Sequence, residues 1–187
     1  MSQPARTRIT ASEYFQLPEY AQHDLIQLID GEVVISMPPV LRHQAIVREI
    51  LVLLTLLARR LGGRVYAAPT EVRLDASNVY EPDVLYIRPE NLSIAEQDEK
   101  RLIGAPDLVV EVLSPGTAKT DRQEKYQAYE AHGVGEYWIV DPAYEVVEVW
   151  TLDAERRFRR LGAFAGDDAF DSVVLGETIT VKIFFSA

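Results

Sequence analysis

Two carboxylates and a lysine stand out because each sits in a segment where a charge is costly. Tyr80-Glu81-Pro82-Asp83-Val84-Leu85-Tyr86-Ile87 starts a strand with an acid, and Asp107-Leu108-Val109-Val110-Glu111-Val112-Leu113 carries another inside an apolar run. Lys125 follows on a segment with helical spacing. A charged carboxylate within a β-branched strand is unfavourable unless something pairs with it, and a divalent cation is the obvious partner. Two strand carboxylates, a hard cation such as Mg²⁺ (with Mn²⁺ as its substitute) and a lysine are the parts needed to hydrolyse a phosphodiester.

Side chains alternate along a strand, so Asp107, Val109, Glu111 and Leu113 share one face while Leu108, Val110 and Val112 share the other. If Asp83 ends the adjacent strand, its carboxylate meets that of Glu111 across the ladder, and a cation between them relieves the repulsion. Mg²⁺ suits this, because it needs one or two protein carboxylates and fills its other positions with water and substrate phosphate. Asp121, Lys125 and Tyr129 fall at i, i+4 and i+8 on one helix face. Turned towards Asp83 and Glu111, that face supplies an ammonium group to orient an attacking water and neutralise phosphate charge.

Plainer readings compete at every position. Asp83 can simply start a strand after Pro82. Glu111 can form a structural salt bridge with Lys125, Lys125 alone reads as a solvated helix residue, and Asp121 reads as a helix N-cap. Asp107, also preceded by proline, competes with Asp83 and ranks second because it shares a strand with Glu111. His43 reads as exposed at the start of a long helix, with contact to a phosphate as the sharper alternative. His23, His43 and His132 lack metal-ligand spacing, and no glycine-rich phosphate loop is present. Tyr137 and Trp138 read as core.

The elements that must position these residues follow from periodicity and punctuation. Thr10-Ala11-Ser12-Glu13 has capping-box spacing and predicts a short helix to about Leu17. Leu28-Ile29-Asp30-Gly31-Glu32 predicts a tight turn into a strand over Val33 to Met37, stopped by Pro38-Pro39. Ile46, Ile50, Leu53, Leu54, Leu57 and Leu61 predict one amphipathic helix from Leu41 to Leu61, ended by Gly62-Gly63. Strands are expected over Arg64 to Ala68, Glu71 to Leu74, Asp83 to Ile87 and Asp107 to Leu113, the last a central strand covered on both faces. Residues 88 to 104 read as a surface loop with a turn of helix. A helix from Thr120 or Asp121 to His132 ends at Gly133, and strands are expected over Glu136 to Val140, Val146 to Thr151, Phe158 to Leu161 and Thr178 to Phe185.

The 187 residues, 48% hydrophobic and 26% charged, fit one α/β domain spanning 1–187 with a core of its own. Without cysteine, disulfides and thiolate metal sites are excluded, which is compatible with a cytoplasmic location. The polar stretch Met1 to Thr10 is not expected to be a signal peptide, and no apolar run is long enough to span a bilayer. The net charge of −10 counts against a protein that coats nucleic acid indiscriminately. It leaves room for a nuclease, whose metal site concentrates acids beside a local basic groove.

In series, the segments resemble the Uma family of restriction-endonuclease-like proteins, within the PD-(D/E)XK nuclease group. The resemblance rests on Leu28-Ile29-Asp30-Gly31-Glu32 with Met37-Pro38-Pro39, on Glu81-Pro82-Asp83, and on the block from Gly104 to Pro115. It continues through Asp121, Lys125 and Tyr129 to Gly133-Val134-Gly135-Glu136-Tyr137-Trp138-Ile139-Val140-Asp141-Pro142, covering roughly residues 10 to 152. It implies a restriction-endonuclease-like core, a central mixed sheet flanked by helices, with the metal at the split between two central strands. It makes Asp83 the PD aspartate and Glu111 the second acid. The group's lysine normally lies two residues after that acid; Leu113 stands there, and Lys125 on the following helix is the position that takes its place. The expectation is a Mg²⁺-dependent endonuclease acting on DNA, with Asp83 and Glu111 holding the metal and a homodimer as its assembly. Two rivals remain: a non-catalytic module of the same fold that binds nucleic acid or protein, and a hydrolase of small phosphorylated substrates.

Overall fold

The computed structural model describes residues 8–22 and 25–186. Met1 to Thr7 and His23, which carry two of the readings above, lie outside the described residues. The chain runs through α1 (Ala11–Tyr14), β1 (Ile26–Ile29), β2 (Glu32–Ile35), α2 (Leu41–Leu61), β3 (Arg64–Ala67), β4 (Glu71–Arg73), β5 (Val79–Tyr80) and β6 (Val84–Ile87). A 3₁₀ segment over Pro89–Ala95 leads to β7 (Arg101–Ile103) and β8 (Leu108–Val112). Then come α3 (Ala118–Thr120), a π-helical turn over Asp121–Lys125, and α4 (Tyr126–His132). The chain finishes with β9 (Glu136–Asp141), β10 (Val146–Leu152), β11 (Phe158–Ala165), β12 (Ala169–Ser172), β13 (Glu177–Thr180) and a 3₁₀ segment over Val181–Phe185.

Six strands form the main sheet in the order β11-β10-β9-β8-β6-β3. β8 pairs antiparallel with β6 on one side and parallel with β9 on the other, so the sheet is mixed at its centre. All five residues of β8 are buried, as its unbroken apolar run requires. On one face Leu108, Val110 and Val112 pack with Val84, Trp138 and Val140 against Ile46, Ile50 and Leu54 of α2. On the other face Val109, Leu113, Tyr137 and Ile139 pack against Tyr129 of α4. Each such fully buried side chain contributes on the order of 1.5–3 kcal/mol, so two apolar faces hold β8 in register. A second sheet, in the order β2-β1-β5-β4-β7, covers the helix-α4 side.

Local chemistry accounts for the boundaries. Thr10 and Glu13 form the reciprocal capping box at α1. Asp30 and Gly31, with φ of 49° and 77°, make the two-residue turn that pairs Ile29 with Glu32. α2 has the bounds that its apolar spacing predicts, and Gly62 and Gly63 end it with φ of 83° and 86°. A Cβ at Gly63 would stand 2.2 Å from the Ile87 carbonyl oxygen, where β3 passes β6. Gly63→Ala is therefore expected to cost at least about 3 kcal/mol in urea unfolding, combining strain at positive φ with a backbone clash. A variant as stable as wild type would contradict this packing of the α2–β3 junction.

Three expectations need correction. Residues 88 to 104 contain β7, which pairs parallel with β4. The strand expected over Thr178 to Phe185 stops at Thr180, because Val181 and Phe184, three residues apart, both turn into the core on a 3₁₀ spacing. Asp121 is not an N-cap: the helical stretch begins three residues earlier, and Asp121 is buried within the π-helical turn.

Candidate metal centre

The β6–β8 register pairs Val84 with Val110, and continuing it by one residue sets Asp83 opposite Glu111. Asp83 Oδ2 accepts the Val112 backbone N–H at 2.7 Å and lies 3.3 Å from His43 Nε2. Glu111 Oε1 accepts the Tyr129 hydroxyl at 2.8 Å and lies 2.8 Å from Lys125 Nζ. The protein thus occupies one oxygen of each carboxylate with two donors. Asp83 Oδ1 and Glu111 Oε2 have no protein donor among the described residues.

Asp121 and Lys125 are the first and last residues of the π-helical turn, and both are buried. The Lys125 ammonium, in a side chain only 4% exposed, sits 2.8 Å from Glu111 and 3.2 Å from Asp121. The Tyr137 hydroxyl donates to the Asp121 carbonyl at 3.0 Å and anchors the turn to β9. π-helical turns recur where a helix must present a side chain out of its ordinary phase, and functional sites are enriched in them.

Three carboxylates share one lysine, and the electrostatics follow from that imbalance. Burial pushes the Glu111 carboxyl up to about 8, with Asp121 and Asp83 adding to the shift and Lys125 offsetting only part of it. Burial alone would lower Lys125, but the charges of Glu111, Asp121 and Asp83 outweigh it and hold the ammonium protonated. His43 is likewise opposed by burial and raised on balance by its contact with Asp83, by the Val112 backbone and by Asp121. Burial and Glu111 push the Tyr129 hydroxyl far up, so it remains a donor.

This surplus of negative charge and two undonated carboxylate oxygens fit a hard divalent cation. Among the described residues no group of three His, Cys, Asp or Glu side chains is placed to hold a metal. Two carboxylates suffice for Mg²⁺, which keeps several waters, whereas a zinc site needs three or four protein ligands.

The other candidates separate clearly. Asp107 accepts the Arg88 N–H at 2.7 Å and the Asn91 amide at 2.6 Å, and it lies four residues from Glu111, roughly 13 Å along a strand. It fastens the start of β8. Neither the exposed helix-start reading of His43 nor the solvated reading of Lys125 holds, since both are buried. Tyr137 and Trp138 are core residues at 0% exposure. A hollow of about 430 Å³ beside α4 is lined by Arg122, Arg157 and Arg159 among others, but not by Asp83 or Glu111. Each of these arginines already faces an acid: Arg122 meets Asp141 and Glu148, Arg157 meets Glu130, and Arg159 meets Asp153.

The family model described as "Uma2: Putative restriction endonuclease" matches residues 11–182. The chain belongs to this family. Among solved structures, it is similar to a "putative nuclease belonging to DUF820 from Anabaena variabilis", with a TM-score of 0.77 at 20% identity. That likeness covers 95% of this chain and 98% of the other, and it shows the α/β fold with its mixed sheet flanked by helices. No curated protein matches the chain significantly. Among the described residues of this Uma2 member, no helix is long and apolar enough to cross a membrane.

Proposed function

We propose that this Uma2 protein is a metal-dependent endonuclease, a single domain that hydrolyses DNA phosphodiester bonds. The observation that carries the reading is the β6–β8 register, which continued by one residue beyond Val84 sets Asp83 opposite Glu111, each with one oxygen held by the protein and one without a donor among the described residues. Asp83 and Glu111, with the Val112 backbone carbonyl, would hold Mg²⁺ or Mn²⁺. When bound, such a cation supplies Lewis-acid stabilisation of charge on the scissile phosphate and the leaving oxygen. Lys125 keeps a fixed positive charge beside Glu111, where it orients an attacking water and offsets phosphate charge without reorganising. Asp121 and Tyr129 hold that ammonium and the Glu111 carboxylate in place. Two copies acting together on the two strands of a duplex complete the proposal, and sedimentation tests that assembly.

The deciding experiment incubates single- and double-stranded DNA with the protein in Mg²⁺ or Mn²⁺, alongside thermal melts with and without Mn²⁺. Cleavage is expected only with metal. The melting temperature is expected to rise with Mn²⁺, because a cation that binds only the native state stabilises it by about 2.7 kcal/mol at a hundred times its Kd. The net charge of −10 favours the rival reading, a binding module of the same fold. Metal-stabilised protein that cuts neither DNA would decide for that rival; no cleavage and no shift would sink the metal site as well.

A further inference from the structure

We infer that His43 is a positioning residue that sets the Asp83 carboxylate for the cation, an inference that rests on the metal reading proposed above. His43 lies in the first turn of α2, forty residues upstream of Asp83, and is 6% exposed. α2 is fixed over the sheet by Ile46, Ile50 and Leu54, which continue its buried stripe from the His43 position. The packing of this helix therefore carries the imidazole to the mouth of the β6–β8 pair.

There Nε2 stands 3.3 Å from Asp83 Oδ2, the same oxygen that takes the Val112 N–H at 2.7 Å. Two donors from different elements converging on one oxygen fix the carboxylate plane and leave Oδ1 to face elsewhere. Outer partners of this kind orient metal-ligating carboxylates, and their loss typically weakens metal affinity by about 10- to 100-fold. The other ring nitrogen argues against a purely structural histidine. Nδ1 is buried with no hydrogen-bond partner among the described residues. Burying an unpaired polar atom is unfavourable, so a side chain selected only to fill the core would be apolar here. What the imidazole gains for its burial is the contact with Asp83.

The two nitrogens can be tested separately. The Gln amide nitrogen reaches the position of Nε2, and the Asn amide nitrogen matches Nδ1. Mn²⁺ binding is measured by titration calorimetry on wild type, His43→Ala, His43→Gln and His43→Asn, with urea unfolding of each followed in parallel. His43→Ala and His43→Asn are expected to raise the Mn²⁺ Kd by about 10- to 100-fold, and His43→Gln to recover most of that loss. A merely structural role would move the urea midpoints and leave Gln and Asn equivalent in metal affinity. Should His43→Ala fail to fold, the contrast between Gln and Asn still decides. Wild-type binding that His43→Ala leaves unchanged, or equal effects of Gln and Asn, overturns the inference alone. Wild-type protein that takes up no Mn²⁺ overturns the metal reading and this inference with it.

Discussion

Lys125→Ala is expected to destabilise the metal-free protein by about 3–5 kcal/mol, a large effect for a helix lysine. Removing one partner of a buried ion pair leaves the other charge uncompensated, and here two carboxylates, Glu111 and Asp121, lose the same ammonium. The penalty should depend on pH, and its sign follows from Glu111. Burial already pushes this carboxyl up to about 8 with Lys125 present, and loss of the lysine pushes it further. A carboxyl whose pKa is higher folded than unfolded takes up its proton on folding. Its folded form is therefore unpenalised below the unfolded pKa of about 4.5 and loses stability as pH rises towards the folded value. Between about pH 5 and about pH 8 both proteins should therefore lose stability in parallel. The gap between Lys125→Ala and wild type should widen only above about pH 8, by up to about 1.4 kcal/mol for each pH unit, where wild-type Glu111 has lost its proton and the variant's has not. Urea unfolding at three pH values measures it. Adding Glu111→Gln to Lys125→Met, which removes one buried charge and fills the volume, should recover a substantial part of the loss. Equal urea midpoints for Lys125→Ala and wild type at neutral pH would show that the ammonium is not held between these carboxylates. The expected loss also means that missing cleavage in Lys125→Ala cannot be assigned to chemistry unless stability is measured beside it.

The site is legible in the sequence where its residues violate a local rule, and obscure where only packing decides. Glu111 is visible because an acid interrupts an apolar strand, and Asp83 because an acid after proline precedes a β-branched run. The same rule also points to Glu136, which is equally buried at the start of β9. Glu136 is a structural acid, held by the Trp138 indole at 2.6 Å and by the Ser172 hydroxyl and Val174 N–H, each at 3.0 Å. Three neutral donors, one of them 38 residues away, distinguish it from Glu111, and no local pattern announces them. His43 is hidden for a related reason. At the first turn of an amphipathic helix a polar residue reads as solvated, and only the seating of α2 on the sheet turns it inward. A signal is available in the helical spacing, since His43 precedes Ile46, Ile50 and Leu54 on the buried stripe. α2 and β8 are legible because long periodic or fully apolar segments leave one solution. The two- to four-residue strands β5, β7 and β12 are not, because pairing partners distant in sequence define them.

Asp83→Asn and Glu111→Gln are each expected to lower kcat for DNA cleavage by at least about a thousandfold, since several kcal/mol of charge stabilisation depends on the cation they hold. Both swaps keep shape and an acceptor oxygen. Asn at 83 can still take the Val112 N–H, and Gln at 111 can still take the Tyr129 hydroxyl. Folding should therefore survive, and for Glu111→Gln the metal-free protein should be as stable as wild type or more so. The substitution removes a carboxylate from a cluster in which three acids share one lysine. Activity and stability would then move in opposite directions, as they do where a fold tolerates electrostatic strain for the sake of a site. The Mn²⁺-induced rise in melting temperature should vanish in both variants. Asp107→Asn supplies the contrast: it weakens the ties to Arg88 and Asn91 at the far end of β8, so it should lose stability while keeping the metal response and kcat. Cleavage by Asp83→Asn or Glu111→Gln at the wild-type rate would place the chemistry elsewhere in the molecule. Loss of cleavage in Asp107→Asn at unchanged stability would instead move the motif aspartate from β6 to β8.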